Sequence, residues 1–486
     1  MRSMVNSIKK SVFWKLFDRS GNALTQLLTQ IIMARLLSPD DFGALSIMLV
    51  FVNIGNVIVQ SGMNTALIQA KQVERIDCST VFWMSFAISV FLYVIIFIFT
   101  PVIADFYSTL EIVWPLRVVT LLLPINAYNA VQVALITRKL EMRKIFRATV
   151  VSSIVSAILG IGSALLGVGL WSLVIQQLTY QLVNCLAHAL QLNWRPYFEF
   201  SFASAKRLFG FGSRLLASGI LDQGYQSLSD LIIGRQFSAA QLGVVSQGKR
   251  YPQAIGNILD GAIQPVMLSA VSRFQSDAAR VKGLVRRALK TSTFLIFPAM
   301  ALFASVAPTL VPLLLGPQWS ESVKFLQMYC VVYAFLPIHT TNLQALNGMG
   351  RSDLFLKLEI IKKVYGIASV LFFGLAVRDV SLLVASYIVT DFVSTIVNAW
   401  PNKKVIGYSY IEQARDIAPS FIFAAIAAGV SMLMALLPAT GIILVLLQLI
   451  VYISIYLGLA AAFRLEELSY LVTTARDLLS GRRARR

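Results

Sequence analysis

Five cations and five carboxylates fall inside stretches that are otherwise apolar: Lys15, Arg19, Arg214, Lys249 and Arg250, and Asp18, Asp222, Asp230, Asp260 and Asp391. A charge at the centre of a bilayer costs about 3 kcal/mol on insertion scales, so each of these needs a partner or a wet cavity. Placed on helices, they share one-sided stripes with amides and hydroxyls. Lys15, Asp18, Arg19, Asn22, Gln26, Thr29 and Gln30 occupy an arc of about 120°. Asn53, Asn56, Gln60 and Asn64 span about 80°. Arg214, Ser218, Asp222, Tyr225 and Ser229 form a third stripe, and Ser246, Lys249, Arg250, Gln253, Asn257, Asp260 and Gln264 a fourth. The chemistry this suits is reception of an anionic group. Arginine's planar fork makes bidentate contacts, which match a diphosphate, and the amides offer donors and acceptors to a polar ligand. Asp18, Asp222 and Asp260 admit two readings, as counter-ions to these cations or as ion-coupling sites whose protonation is raised by desolvation.

These stripes require helices that cross a membrane. Hydrophobic residues make up 57% of the 486 positions, charged residues 13%, and mean hydropathy is +0.72, which leaves no segment polar enough for a separate soluble domain. Runs such as Val81 to Thr100 and Ile442 to Phe463 are continuous rather than alternating, so the spans are helices and not barrel strands. Divided into fourteen spans, the chain places 32 of its 42 basic residues on alternate loops and both termini. The opposite loops hold only Arg35, Arg117, Arg235, Lys324 and Arg378. Basic residues are retained inside, so this asymmetry predicts fourteen transmembrane helices with both termini cytoplasmic.

The spans repeat. Arg35, Ser38, Gly43 and Ser46 match Arg235, Ser238, Gly243 and Ser246 at an offset of 200, and Leu123-Pro124-Ile125 matches Leu336-Pro337-Ile338. Six helices per copy is an even number, so the expected fold is an all-α polytopic membrane protein with two parallel six-helix lobes about a pseudo-two-fold along the membrane normal. The N-lobe (helices 1–6) takes residues 1–195 and the C-lobe (helices 7–12) residues 196–405. Two peripheral C-terminal helices take 406–465, and 466–486 form a basic cytoplasmic tail. The polar stripes lie on helices one, two, seven and eight, which makes a lumen between the lobes their destination. Ser272 to Lys290 reads as a basic amphipathic helix at the membrane surface.

Several function classes drop out. The net charge of +19 follows from the inside-loop bias and implies contact with anionic lipid rather than nucleic acid. Cys78, Cys185 and Cys330 have no metal or disulfide spacing. There is no phosphate-cradling Gly-Lys-Ser loop, no acidic Mg²⁺ cluster and no outer loop large enough for catalysis, so neither an enzyme nor a cofactor is expected. His188 and His339 read as satisfied polar core residues. For Gln177, Gln181, Asn184, His188 and Gln191, helix-to-helix hydrogen bonding and cavity lining are both open.

The turn Ala34-Arg35-Leu36-Leu37-Ser38-Pro39-Asp40-Asp41-Phe42-Gly43 resembles the first-hairpin signature of bacterial polysaccharide flippases. These are the Wzx-type branch of the multidrug/oligosaccharidyl-lipid/polysaccharide exporter superfamily. Gly62-Met63-Asn64-Thr65-Ala66-Leu67-Ile68-Gln69 and Arg138-Lys139-Leu140-Glu141-Met142-Arg143 carry the likeness further, and the colanic-acid and exopolysaccharide exporters look nearest. The resemblance implies alternating access in the bacterial inner membrane. An oligosaccharide repeat on undecaprenyl diphosphate would pass from inner to outer leaflet for exopolysaccharide, capsule or O-antigen assembly. It implies a monomer surrounded by membrane lipids, working with polysaccharide polymerase and export machinery. By position, Lys15, Arg19, Arg214, Lys249 and Arg250 would receive the diphosphate, with Asn53, Asn56, Gln60, Gln253 and Asn257 along the glycan path. The alternatives are a cation-coupled multidrug antiporter or a lipid II flippase of the same superfamily and, remotely, a membrane enzyme acting on lipid-linked glycans. Five buried cations argue against the antiporter, and the missing catalytic constellation against the enzyme.

Overall fold

A computed structural model describes residues 25–60, 62–70, 73–192, 194–438 and 441–479. Among these every regular element is helical. The chain divides into two compact units, Met1–Ser246 and Gln247–Arg486. The first holds α1 (25–36), α2 (Pro39–Gln60), α3 (Met63–Gln69), α4 (Arg75–Phe106), α5 (Val113–Val119), α6 (Leu122–Arg138), α7 (Met142–Leu165), α8 (Leu170–Gln191), α9 (Phe202–Gln236) and the start of α10 (Ala239–Arg273). The second holds the rest of α10 with α11 (Ala278–Leu315), α12 (Ser322–Ala334), α13 (Leu336–Gly348), α14 (Ser352–Leu371), α15 (Val380–Ala399), α16 (Asn402–Val405), α17 (Tyr410–Leu433), α18 (Gly441–Ala462) and α19 (Glu466–Leu479).

Ten helices among the described residues are long and apolar enough to cross a membrane, which makes this a polytopic membrane protein. The other places where the charge pattern puts a span are those whose polar content dilutes the apolar run. The α8 helix carries Gln177, Gln181, Asn184 and His188, and α9 carries Asp222, Gln223, Gln226 and Asp230. The α12–α13 pair is two 13-residue helices, and α1 lies at the edge of the described residues.

Burial separates lipid-facing helices from central ones. Only 11% of the apolar stretch of α4 is buried, with Phe91, Ile98 and Val102 exposed, against 56% for α2. In the first unit a core of Met63 and Leu67 from α3, Val81 and Phe82 from α4, Val131 from α6 and Leu208 from α9 ties four helices together. In the second unit, buried amides do similar work. Asn342 donates to Gln413 Oε1 at 2.8 Å, and Asn402 donates to Asn342 Oδ1 at 2.6 Å, fastening α16 and α17 to α13.

Ser272 to Lys290 is not a separate surface helix. The α10 helix ends at Arg273, Asp277 caps the next helix by accepting from Arg280 N at 2.9 Å, and α11 continues unbroken from Ala278 to Leu315. No residue between Lys290 and Phe294 breaks the helix, so the basic half and the apolar half form one rod.

Candidate functional site

The hairpin signature resolves into local chemistry. Ser38 is the N-cap of α2: its hydroxyl accepts from Asp41 N at 3.2 Å and donates to Asp41 Oδ2 at 2.7 Å, while Ser38 N donates to the same carboxylate at 3.0 Å. That reciprocal cap satisfies helix N–H groups that would otherwise be orphaned, and Pro39 fits the first turn because it needs no donor there. The repeat does the same, Ser238 Oγ accepting from Gln241 N at 3.1 Å at the start of α10. Gly43 and Gly243 recur because they are the contact between these two helix starts. A Cβ on Gly43 would lie 1.7 Å from the Ala239 carbonyl oxygen, and one on Gly243 1.9 Å from that of Pro39. Ser46 Oγ then lies 3.3 Å from Ser246 Oγ, directly across the crossing. Three of the four repeated residues therefore cap or join α2 and α10. The fourth, Arg235, stacks its guanidinium 4.8 Å from the Phe106 ring centroid.

Over its whole length α2 exposes only Asp40, Asn53 and Gln60. Exposed positions on a membrane helix face either lipid or water, and lipid does not accept amides. Asn56, the third stripe residue, is half-buried and accepts from Asn126 Nδ2 at 2.8 Å, so it also joins α2 to α6. The adjacent α9 packs against α2, where a Cβ on Gly219 would touch Val57 at 3.0 Å, and exposes Ser218 and Asp222. Asp222 accepts from Gln226 Nε2 at 2.8 Å. Arg214 is placed on α9 by its backbone. Lys15, Asp18 and Arg19 lie outside the described residues.

On α10, Lys249, Arg250 and Gln253 are half-buried and Asn257 is exposed. Among the described residues no carboxylate forms an ion pair with Lys249 or Arg250. Asp260, one of the balancing acids, instead accepts from the Thr340 hydroxyl on α13. Two close approaches hold this part of α10 in register with its neighbours. A Cβ on Gly248 would lie 2.8 Å from Phe325, and one on Gly256 3.2 Å from Tyr333. Lys249 and Arg250 are thus half-buried cations with no carboxylate ion pair among the described residues.

Other polar residues bind helix to helix. His188 Nδ1 lies 2.8 Å from Asn129 Oδ1, and Asn129 also donates to Asn184 at 3.2 Å. The α8 stripe is interhelical at these positions. The pairing recurs in the second unit, His339 Nδ1 lying 3.0 Å from Asn398 Nδ2, with the same 59-residue separation and the two residue types exchanged. A search for repeated identities passes over an exchange of this kind. A search for Asn and His swapped at one offset would have found it.

Arg138 was visible in the sequence only as part of a motif. In the structure its Nη1 donates to the carbonyls of Leu67, Ile68 and Ala70 at 3.1, 3.2 and 2.5 Å, closing the C-terminus of α3. This joins two of the resemblance-bearing segments, since α3 is the Met63–Gln69 helix entered from Gly62 at φ +66°. Arg138→Leu is expected to destabilise the fold by about 2 kcal/mol, because three carbonyls lose a charged donor. The check is the unfolding midpoint of purified protein in detergent; an unchanged midpoint would show that water replaces the guanidinium without cost.

The family model described as polysaccharide biosynthesis protein matches residues 32–324. The succinoglycan biosynthesis transport protein ExoT of Rhizobium meliloti (strain 1021) is 25% identical, over 85% of this chain and 81% of that protein. The lipopolysaccharide biosynthesis protein WzxC of Escherichia coli (strain K12) is 22% identical, over 79% and 78%. Among solved structures, the lipid II flippase MurJ in an inward closed conformation superposes with a TM-score of 0.74 at 14% identity, over 93% of this chain and 98% of that one. An inward-facing multidrug resistance MATE family transporter gives 0.61 at 15%, over 81% and 98%. At these identities the superpositions establish a common fold.

Proposed function

Because the chain belongs to the polysaccharide biosynthesis protein family, whose model spans residues 32–324, we propose that it flips an undecaprenyl-diphosphate-linked oligosaccharide from the inner to the outer leaflet of the bacterial inner membrane. The observation that carries this reading is α2. On a helix more than half buried, the only exposed side chains are Asp40, Asn53 and Gln60, which suits a face turned to a water-filled path and not to lipid. The same reading takes the fourteen-span topology, with both termini cytoplasmic and lobes at 1–195 and 196–405. Helices 13 and 14 follow at 406–465, and the basic tail at 466–486.

In this mechanism Lys249 and Arg250, with Lys15, Arg19 and Arg214, receive the diphosphate. Asn53, Asn56, Gln60, Gln253 and Asn257 exchange hydrogen bonds with the glycan. Asp18, Asp222 and Asp260 balance charge or carry a coupling ion. The polyprenyl tail stays in lipid. No bond is made or broken, so the protein is a transporter and not an enzyme, and its work is a change of access. The Gly43–Gly243 crossing supports that change. Helices that meet through glycine and serine do so backbone to backbone, with no large side chains interlocked across the contact, which makes this crossing the place where the change of access is proposed to act.

The test is a leaflet assay. Purified protein in proteoliposomes is offered undecaprenyl-diphosphate oligosaccharide, and its appearance in the opposite leaflet is followed with and without a pH or Na⁺ gradient. Protein-dependent movement is the expected result. No movement, with extrusion of organic cations instead, would make the chain a drug antiporter, and movement of lipid II alone would make it a lipid II flippase.

A further inference from the structure

A cavity of about 420 Å³ opens between α11 and α19 in the second unit, lined by Gly283, Arg286, Arg287, Lys290, Thr291, Glu466, Glu467 and Tyr470. Its walls carry opposite charge: α11 contributes three cations and α19 two carboxylates. The partners are unequal. Arg286 spends Nε and Nη2 on the two oxygens of Asp416, at 2.8 and 2.6 Å. Lys290 contacts Glu467 at 2.8 Å and Glu466 at 3.2 Å. Arg287, which is exposed, has no carboxylate partner among the described residues, and its guanidinium lies 4.1 Å from the centroid of the Tyr470 ring. Glu467 is 5% exposed but Glu466 is 89% exposed, so one carboxylate is structural and the other projects at the mouth.

The depth of the cavity follows from two independent helices. The α11 helix changes from basic to apolar at Lys290 and Thr291, ahead of Phe294, Leu295 and Ile296. The α18 helix ends its apolar run at Ala462, with Phe463 exposed just before α19 begins. Both transitions meet at the cavity, which puts it at headgroup level, where tyrosine is also favoured. A lone anion would gain from the α11 wall and be repelled by the α19 wall. A headgroup with a phosphate and an ammonium a few bonds apart satisfies both.

We propose that this cleft holds the phosphoethanolamine headgroup of a membrane lipid, its phosphate on the Arg287 side and its ammonium on Glu466. Quaternary choline cannot donate a hydrogen bond to Glu466, and glycerol carries no positive charge, so the site discriminates among common headgroups.

Lipid retention can be read without transport, so this proposal stands or falls apart from the flippase reading. The full chain, delipidated in mild detergent, is titrated with phosphatidylethanolamine, phosphatidylcholine and phosphatidylglycerol of identical acyl chains, and bound lipid is counted by native mass spectrometry. Phosphatidylethanolamine is expected to be retained about five-fold over either other lipid, the size of one well-placed ion pair. Arg287→Ala combined with Glu466→Gln should reduce it to the phosphatidylcholine level. Both side chains are exposed, and the headgroup comparison is made on the unaltered chain in any case. Stronger retention of phosphatidylglycerol, or retention unchanged in the double variant, would overturn the proposal. A thermal shift with soluble O-phosphoethanolamine and no lipid retention would overturn the lipid as its source.

Discussion

Oxidation of a Ser46→Cys, Ser246→Cys double variant is expected to stop transport, and reduction to restore it. The two hydroxyls are 3.3 Å apart, and each is already oriented by a bond to its own helix, Ser46 to Phe42 O at 2.8 Å and Ser246 to Gly243 O at 2.9 Å. Side-chain atoms that close leave the Cβ pair within reach of disulfide geometry. About one turn before both serines the helices are already in contact through Gly43 and Gly243, so the bond forms without drawing the backbones together. If alternating access requires α2 and α10 to part at this end, the crosslink removes one of two states and flux falls by an order of magnitude or more. Each single variant should transport normally. Full flux through the oxidised protein would show that this crossing stays shut throughout the cycle. A companion variant, Gly43→Val, is expected to act on folding instead. Its Cβ would lie 1.7 Å from a backbone carbonyl, and no rotamer relieves that.

The same crossing shows what was legible in the sequence. Ser38, Gly43 and Ser46 were visible as repeated identities, and their structural roles are identity-dependent: a cap, a backbone contact and a hydroxyl pair. Membrane helices were legible because burial in lipid demands long apolar runs, and the exposed amides of α2 because the helical period is regular. The surface helix at Ser272 to Lys290 was misread, since hydropathy marks where the apolar part of α11 begins and is blind to a helix continuing through the change. The His–Asn pairs escaped because either residue can serve either end of the bond, so the repeat keeps the contact and exchanges the letters. The Arg138 clamp escaped for a different reason. Its three acceptors are backbone carbonyls, which leave no trace in side-chain identity.

Arg250→Ala should cut transport by about 100-fold while leaving the unfolding midpoint unchanged or raised. The sign of the stability change separates two roles for a buried cation. A structural ion-pair partner, once removed, strands its carboxylate and costs about 3–5 kcal/mol. Arg250 has no such carboxylate among the described residues: Asp260 takes its hydrogen bond from Thr340, and the recorded ion pairs of the second unit lie elsewhere. Its half-buried guanidinium therefore pays desolvation in the resting protein without recovering it. Alanine relieves that cost. In the loaded protein the balance reverses, because losing a desolvated bidentate contact to a diphosphate costs about 2–5 kcal/mol, and 2.7 kcal/mol is about 100-fold. Arg250→Lys keeps the charge and loses the fork, so it should fall between, at about 10-fold. Lys249, one residue earlier, points about 100° away around the helix and should show the smaller loss of the two. The measurement pairs the leaflet assay with thermal melts on the same preparations. A fall in midpoint that tracks the fall in flux would make Arg250 part of the scaffold and leave the diphosphate to Arg214 and the cations before residue 25.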